Sequence, residues 1–128
     1  MRGSLLGVVL VATLLLAAGC GGTPTYTASK TRSCIEKSGA RVTGVPKADF
    51  VASTAEGGAF TVRFKDNLVT ISFGLDRAGA EGIVRGYERF RGKNIGIEDV
   101  LKAKANAVML WALHPEDTYL QTIEGCLK

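Results

Sequence analysis

Three cysteines, Cys20, Cys34 and Cys126, and a single histidine, His114, carry the most reactive side chains of this 128-residue protein. A thiol accepts an acyl chain, pairs into a disulfide or ligates a metal, and an imidazole moves protons near neutral pH. His114 stands before Pro115, Glu116 and Asp117, so an acid-base cluster there would require all of these side chains to converge. The plainer reading of a histidine at a helix entrance is capping or loop packing. Glu98-Asp99 and Glu116-Asp117 are neighbours along the chain, which does not make their carboxylates face one another. The sequence holds no Gly-x-Ser-x-Gly elbow, no His-Glu-x-x-His helix and no phosphate-binding glycine loop. It therefore assigns no catalytic residue, no cofactor and no metal.

Cys20 has the most telling context. An apolar run from Leu5 to Ala18 follows Arg2 and Ser4 and closes on Leu16-Ala17-Ala18-Gly19-Cys20. A cationic start, an apolar stretch and small residues before a cleavage point make up a secretory signal. The run is shorter than the roughly 20 residues that span a bilayer. With its cysteine directly after small residues, the segment resembles the lipobox of bacterial lipoproteins. It departs from the consensus in having Ala17 three places before the cysteine, with Leu16 one place further back. The resemblance implies a signal peptide over 1–19, diacylglyceryl transfer to the Cys20 thiol, cleavage after Gly19 and acylation of the freed amine, palmitate being one such chain. One acyl chain binds a membrane marginally, whereas two or three hold firmly. The expected location is the exported side of the cell membrane. A plain secretory signal and an uncut anchor are the competing readings.

Loss of 1–19 removes Arg2 from the 16 basic residues and leaves 15 against 12 acidic ones, a net charge of +3. These charges are interspersed, a mild bias toward an anionic lipid surface at most. No basic stripe with interleaved aromatics is present, so nucleic acid is not an expected partner. The expected partners are the membrane, through Cys20, and an envelope protein, peptide or glycan. With Cys20 given to lipid, Cys34 and Cys126 form an even pair in an exported chain, for which a disulfide is the default. A metal site built from those two thiols and His114 is the competitor, and its spacing matches no zinc pattern.

The elements that would position these groups follow from periodicity. Residues 20–30, rich in Gly, Thr and Ser around Pro24, read as a flexible tether, and 31–128 as a single domain. Thr31 caps a helix through Lys37 that Gly39 ends; Val42 to Val45 and Phe50-Val51 read as brief strands. Phe60, Val62 and Phe64 alternate with Thr61, Arg63 and Lys65, and Val69, Ile71 and Phe73 with Thr70 and Ser72. This predicts a hairpin turning at Asp66-Asn67, with Phe64 opposite Val69, Val62 opposite Ile71 and Phe60 opposite Phe73. Asp76 caps a helix with the stripe Ala80, Ile83, Val84, Tyr87 and Phe90, and its glycines Gly79, Gly82 and Gly86 suggest close backbone approach. A connection over 93–104 with a helical turn, an apolar strand at Val108 to Leu113 covered on both faces, and a final helix opening at Pro115 complete the chain. Tyr119, Leu120, Ile123 and Leu127 form the stripe of that last helix.

Helix, hairpin, helix, strand, helix resembles half of a ferredoxin-like sheet, and the expected fold is α+β. The expected architecture is a small two-layer sandwich with three or four mainly antiparallel strands, helices on one face and one disulfide. An uncovered sheet face would then present Thr61, Arg63, Thr70 and Ser72, and Trp111 beside them would make a binding surface. The other reading puts Trp111 in the core. The sequence thus predicts a membrane-anchored binding or interaction module, with an envelope enzyme centred near His114 as the alternative. Arg85 and Arg89, four apart, read either as an anionic headgroup site or as a solvated helix face.

Overall fold

The computed structural model describes residues 23–90 and 96–128. The expected signal segment at 1–19, Cys20 and the first residues of the expected tether lie outside this range. The elements are α1 (Ala28–Lys37), β1 (Arg41–Thr43), α2 (Phe50–Ser53), β2 (Ala59–Arg63), β3 (Leu68–Phe73), α3 (Arg77–Phe90), α4 (Ile97–Val100), β4 (Leu101–Lys104), β5 (Ala107–Trp111) and α5 (Asp117–Cys126). One sheet runs in the order β1-β2-β3-β5-β4, with every neighbouring pair antiparallel. The fold is α+β, with the Cys34–Cys126 disulfide in place. No described helix is long and apolar enough to cross a membrane.

Two expectations need correction: there are five strands rather than three or four, and helices cover both faces rather than one. The reason lies in β5. Ala107, Met109 and Trp111 point to one side, where Phe60, Val62, Val69, Ile71 and Phe73 meet Ile35 of α1 and Ile123 of α5. Val108 and Leu110 point to the other, where Ala80, Ile83 and Tyr87 of α3 meet them. A strand apolar on both sides must be covered twice, and the domain is accordingly helix, sheet, helix in three layers.

The hairpin of β2 and β3 keeps its predicted face but shifts its register. Val62 lies opposite Val69 and Phe60 opposite Ile71, two residues from the expected pairing. A shift of two preserves the side on which every residue stands. Asn67 causes it: rather than occupying an exposed turn it is buried, accepting from the N–H groups of Leu68 and Leu113 and donating to the Leu113 carbonyl. Phe64 leaves the strand and stacks between Trp111 and Tyr119, with ring centroids 5.9 and 4.2 Å away.

Other differences have local causes. Phe50-Val51 belongs to a helical turn, because Asp49 caps it by accepting from the Ala52 N–H at 2.9 Å. The 93–104 connection contains the edge strand β4, joined to β5 by a tight turn in which Ala105 takes φ 52°. Pro115 precedes α5 instead of opening it. The tether ends earlier than expected. Tyr26 is fastened to Asn106 by hydrogen bonds in both directions, Thr27 donates to the Lys128 carbonyl, and α1 starts at Ala28. Asp76 caps α3 as predicted, through the Gly79 N–H. A side chain on Gly79 would press on Gly74 at 3.1 Å, so this glycine lets the helix start directly over the end of β3.

The disulfide ties α1 to α5 across 92 residues. Replacing both cysteines by alanine is expected to cost about 2–5 kcal/mol in urea unfolding, with a steeper denaturant dependence because the unfolded chain expands. At the other end of α5, the Tyr119 hydroxyl donates to Asp66 at 2.7 Å. That bond above all, aided by partial desolvation and by the charges of Asp66 and Glu116, pushes the phenol from 10.0 up to about 12. A raised folded pKa adds stability that is complete below 10 and lost as pH climbs through 12. Absorbance titration of the tyrosines is expected to show one group near 12, which moves back toward the ordinary phenol value in Asp66→Asn.

Candidate functional site

The α2–α3 layer leaves a cleft over the ends of β3 and β5. α2 is a single capped turn and cannot fill the space beside the fourteen-residue α3. The opening has a volume of about 460 Å³, and Pro46, Phe50, Val51, Leu110 and Phe90 give it mostly apolar walls. That size lies within the roughly 300–1,000 Å³ of ligand pockets and suits one aromatic or branched apolar group. A second hollow of about 380 Å³ continues along α3 as far as Leu75 and Gly79, sharing Phe50, Val51 and Phe90 with the first. Gly86 lets Val51 of α2 lie close against α3, since a Cβ there would meet Val51 at 3.3 Å.

Phe50 and Phe90 stand at the mouth, 66% and 70% exposed. Their rings meet edge to face, with centroids 6.3 Å apart. Polar groups are few and fixed. The Tyr87 hydroxyl donates to Asp49 Oδ2 at 2.9 Å while Oδ1 of the same carboxylate caps α2. This bond locks the two walls together at one end. Thr70 adds a hydroxyl to the lining, and its oxygen lies 3.2 Å from that of Thr61 across the β2–β3 ladder.

The surface expected from sequence does not assemble. Trp111 is fully buried on the α1–α5 side of the sheet, because its partner Val69 stands on that side. Thr61 and Thr70 are buried beneath the opposite layer. Arg63 is exposed at the end of β2, across from Leu68. These four residues therefore form no common patch. His114 is exposed and pairs with Asp99, Nδ1 to Oδ1 at 2.8 Å, rather than with Glu116 or Asp117. Cys34 and Cys126 are joined to each other, which removes both thiols from the competing metal site. Among the described residues no group of three or more His, Cys, Asp or Glu side chains could hold a metal ion.

Sequence reasoning missed Asp49, Phe50 and the cleft. An aspartate three residues before Ala52 is a helix N-cap signal, but Pro46 and the β-prone Phe50-Val51 pair obscured it. Tyr87 and Phe90 were visible only as a core stripe.

No family model matches the chain, and comparison with curated proteins and with solved structures found no match. The cleft must be interpreted from its own geometry.

Asp49 holds both a helix cap and a cross-helix bond. Asp49→Ala is expected to cost about 2 kcal/mol and Tyr87→Phe about 1. Urea unfolding of the double variant should fall short of their sum, since the two share one bond.

Proposed function

We propose that the protein is a lipid-anchored binding module of the bacterial cell envelope, held on the exported side of the membrane through Cys20. Its ligand is a peptide or protein segment that places an apolar side chain between α2 and α3. The exposed Phe50–Phe90 pair at the mouth of the cleft carries this reading. Two phenylalanines held at solvent lose apolar burial worth about 1.5–3 kcal/mol each, and a partner that covers them recovers it. The anchor is supported by the lipobox-like Leu16 to Cys20 segment. The disulfide agrees with an oxidising compartment.

A second reading, an envelope enzyme, draws on His114. A carboxylate that orients an imidazole is part of the machinery of a general base, and Asp99 stands in that relation to it. Neither hollow described above reaches His114. The binding module is the better-supported reading.

Two measurements test it. Intact mass of protein extracted from host membranes should show loss of 1–19, acyl chains on Cys20, and two alkylatable thiols only after reduction. Cys20→Ala should leave the chain unacylated. An unacylated wild-type chain would sink the anchor. For the cleft, anilinonaphthalene sulfonate should fluoresce on the native protein and lose most of that signal in Phe50→Ser/Phe90→Ser, with the unfolding midpoint little changed. Equal fluorescence in both proteins would refute the cleft as a binding site.

A further inference from the structure

At 3.6 residues per turn, Ala80, Ile83 and Tyr87 define the buried side of α3. The opposite side carries Ala78, Gly82, Arg85 and Arg89, all exposed. Two small residues and two arginines leave the guanidinium groups as the tallest features of this strip. Among the described residues neither arginine enters an ion pair; the Arg77–Glu81 contact lies on the flank of the helix. A shallow hollow lined by Gly82, Arg85, Gly86, Glu88 and Arg89 leads from the strip to Phe90 and so to the mouth of the cleft.

The chain enters the domain on this same layer. Thr23 lines a groove together with Arg77, Val84 and Arg85 of α3 and Ala103 of β4. Cys20 is three residues earlier, a reach of at most about 11 Å. The α1–α5 layer lies beyond the sheet, two layer spacings or about 20 Å away. On that layer α5 bears Asp117 and Glu124 while α1 carries Lys30, Arg32 and Lys37 against Glu36, so the position of Thr23 beside Arg85, and not net charge, favours α3.

We propose that the outer face of α3 is the membrane-contacting surface of the domain. Arg85 and Arg89 lie on the anionic headgroups, and Phe90 and Phe50 border the contact at the level where headgroups meet acyl chains. This rests on the lipid anchor at Cys20 proposed above. The anchor supplies proximity, and the arginines supply orientation. Held within a Debye length of about 8–10 Å, both cations feel the surface potential with little screening. The mouth of the cleft then opens at the bilayer surface, so its ligand is met in or beside the membrane plane.

The test uses the full acylated chain in nanodiscs of phosphatidylglycerol and phosphatidylcholine doped with a gadolinium-chelating lipid, with loss of amide signal read along the domain. The greatest loss is expected at Gly82, Arg85, Gly86 and Phe90, and the least at Thr118, Gln121 and Gly125 of α5. In Arg85→Ala/Arg89→Ala, and in discs of phosphatidylcholine alone, that contrast should shrink at least about twofold, with the spectrum remaining dispersed. Greatest loss on α5, or equal loss on both layers, would overturn the orientation. So would broadening of the α3 signals that depends on protein concentration without lipid, which marks a second copy on the strip. A chain lacking acyl mass on Cys20 overturns the anchor and the orientation together, whereas an acylated chain with α5 toward the lipid overturns the orientation alone.

Discussion

The burial of β3 and β5 on both faces governs this molecule. Val69, Ile71, Phe73, Met109 and Trp111 on one side, with Val108 and Leu110 on the other, leave no side of the central strands free for water. Two helical layers are needed, and the chain supplies them from different regions. α1 and α5, the two ends of the domain, close one side, while α2 and α3 from the middle close the other. The short edge strands β1 and β4 each carry basic residues, Arg41 on one and Lys102 and Lys104 on the other, which discourages pairing with further chains. Asn106 fastens the incoming chain at Tyr26 to the end of β3 at Gly74, so the entry point, the β4–β5 turn and the sheet hold one another.

Where the sequence was legible, the signal was periodic. The β2–β3 alternation, the stripe of α3 as far as Tyr87, the two-sided apolar character of β5 and the helix before Cys126 all stand in the structure, whereas Phe90, read as the end of that stripe, is exposed. So does the pairing of the cysteines, which followed from their number once Cys20 was set aside. The misreadings share a physical origin, in that a tertiary contact outweighed local chemistry. Asn67 has the composition of a turn residue, yet the Leu113 backbone claims its amide and moves the register by two. Ala105 adopts positive φ without the glycine or asparagine that would have announced it, and β4 was hidden. Alternation puts Trp111 and Met109 on one side of β5, but which side meets Phe60 depends on the β3–β5 pairing, and no local pattern encodes that. The cleft was out of reach for the same reason, since it arises from a mismatch in length between α2 and α3.

The candidate site and the proposed anchor converge on one layer. Short α2, glycine-rich α3 and the entry of the chain beside Arg85 place the groove, the exposed phenylalanines and the cations on the same side of the sheet. A binding module built this way needs little polar machinery. Tyr87 and Asp49 set the spacing of its walls, and Thr70 offers one hydroxyl. Recognition would come from shape and from the recovery of apolar burial.

The covalent cross-link stands on one side only. Cys34–Cys126 and the bonds from Thr27 and Thr31 to Lys128 all lie in the α1–α5 layer, while the α2–α3 layer, among the described residues, carries no disulfide and meets the sheet through packing and through the backbone bonds of Gly57 and Gly58 to Phe73. Local opening free energies in such a fold are unequal, and the uncross-linked layer sits at the low end. The sheet thus has a stiff side and a compliant side. Beyond the end of the groove that the Tyr87–Asp49 bond fixes, a guest larger than the resting space would draw its room from the side of the sheet that lacks the cross-link.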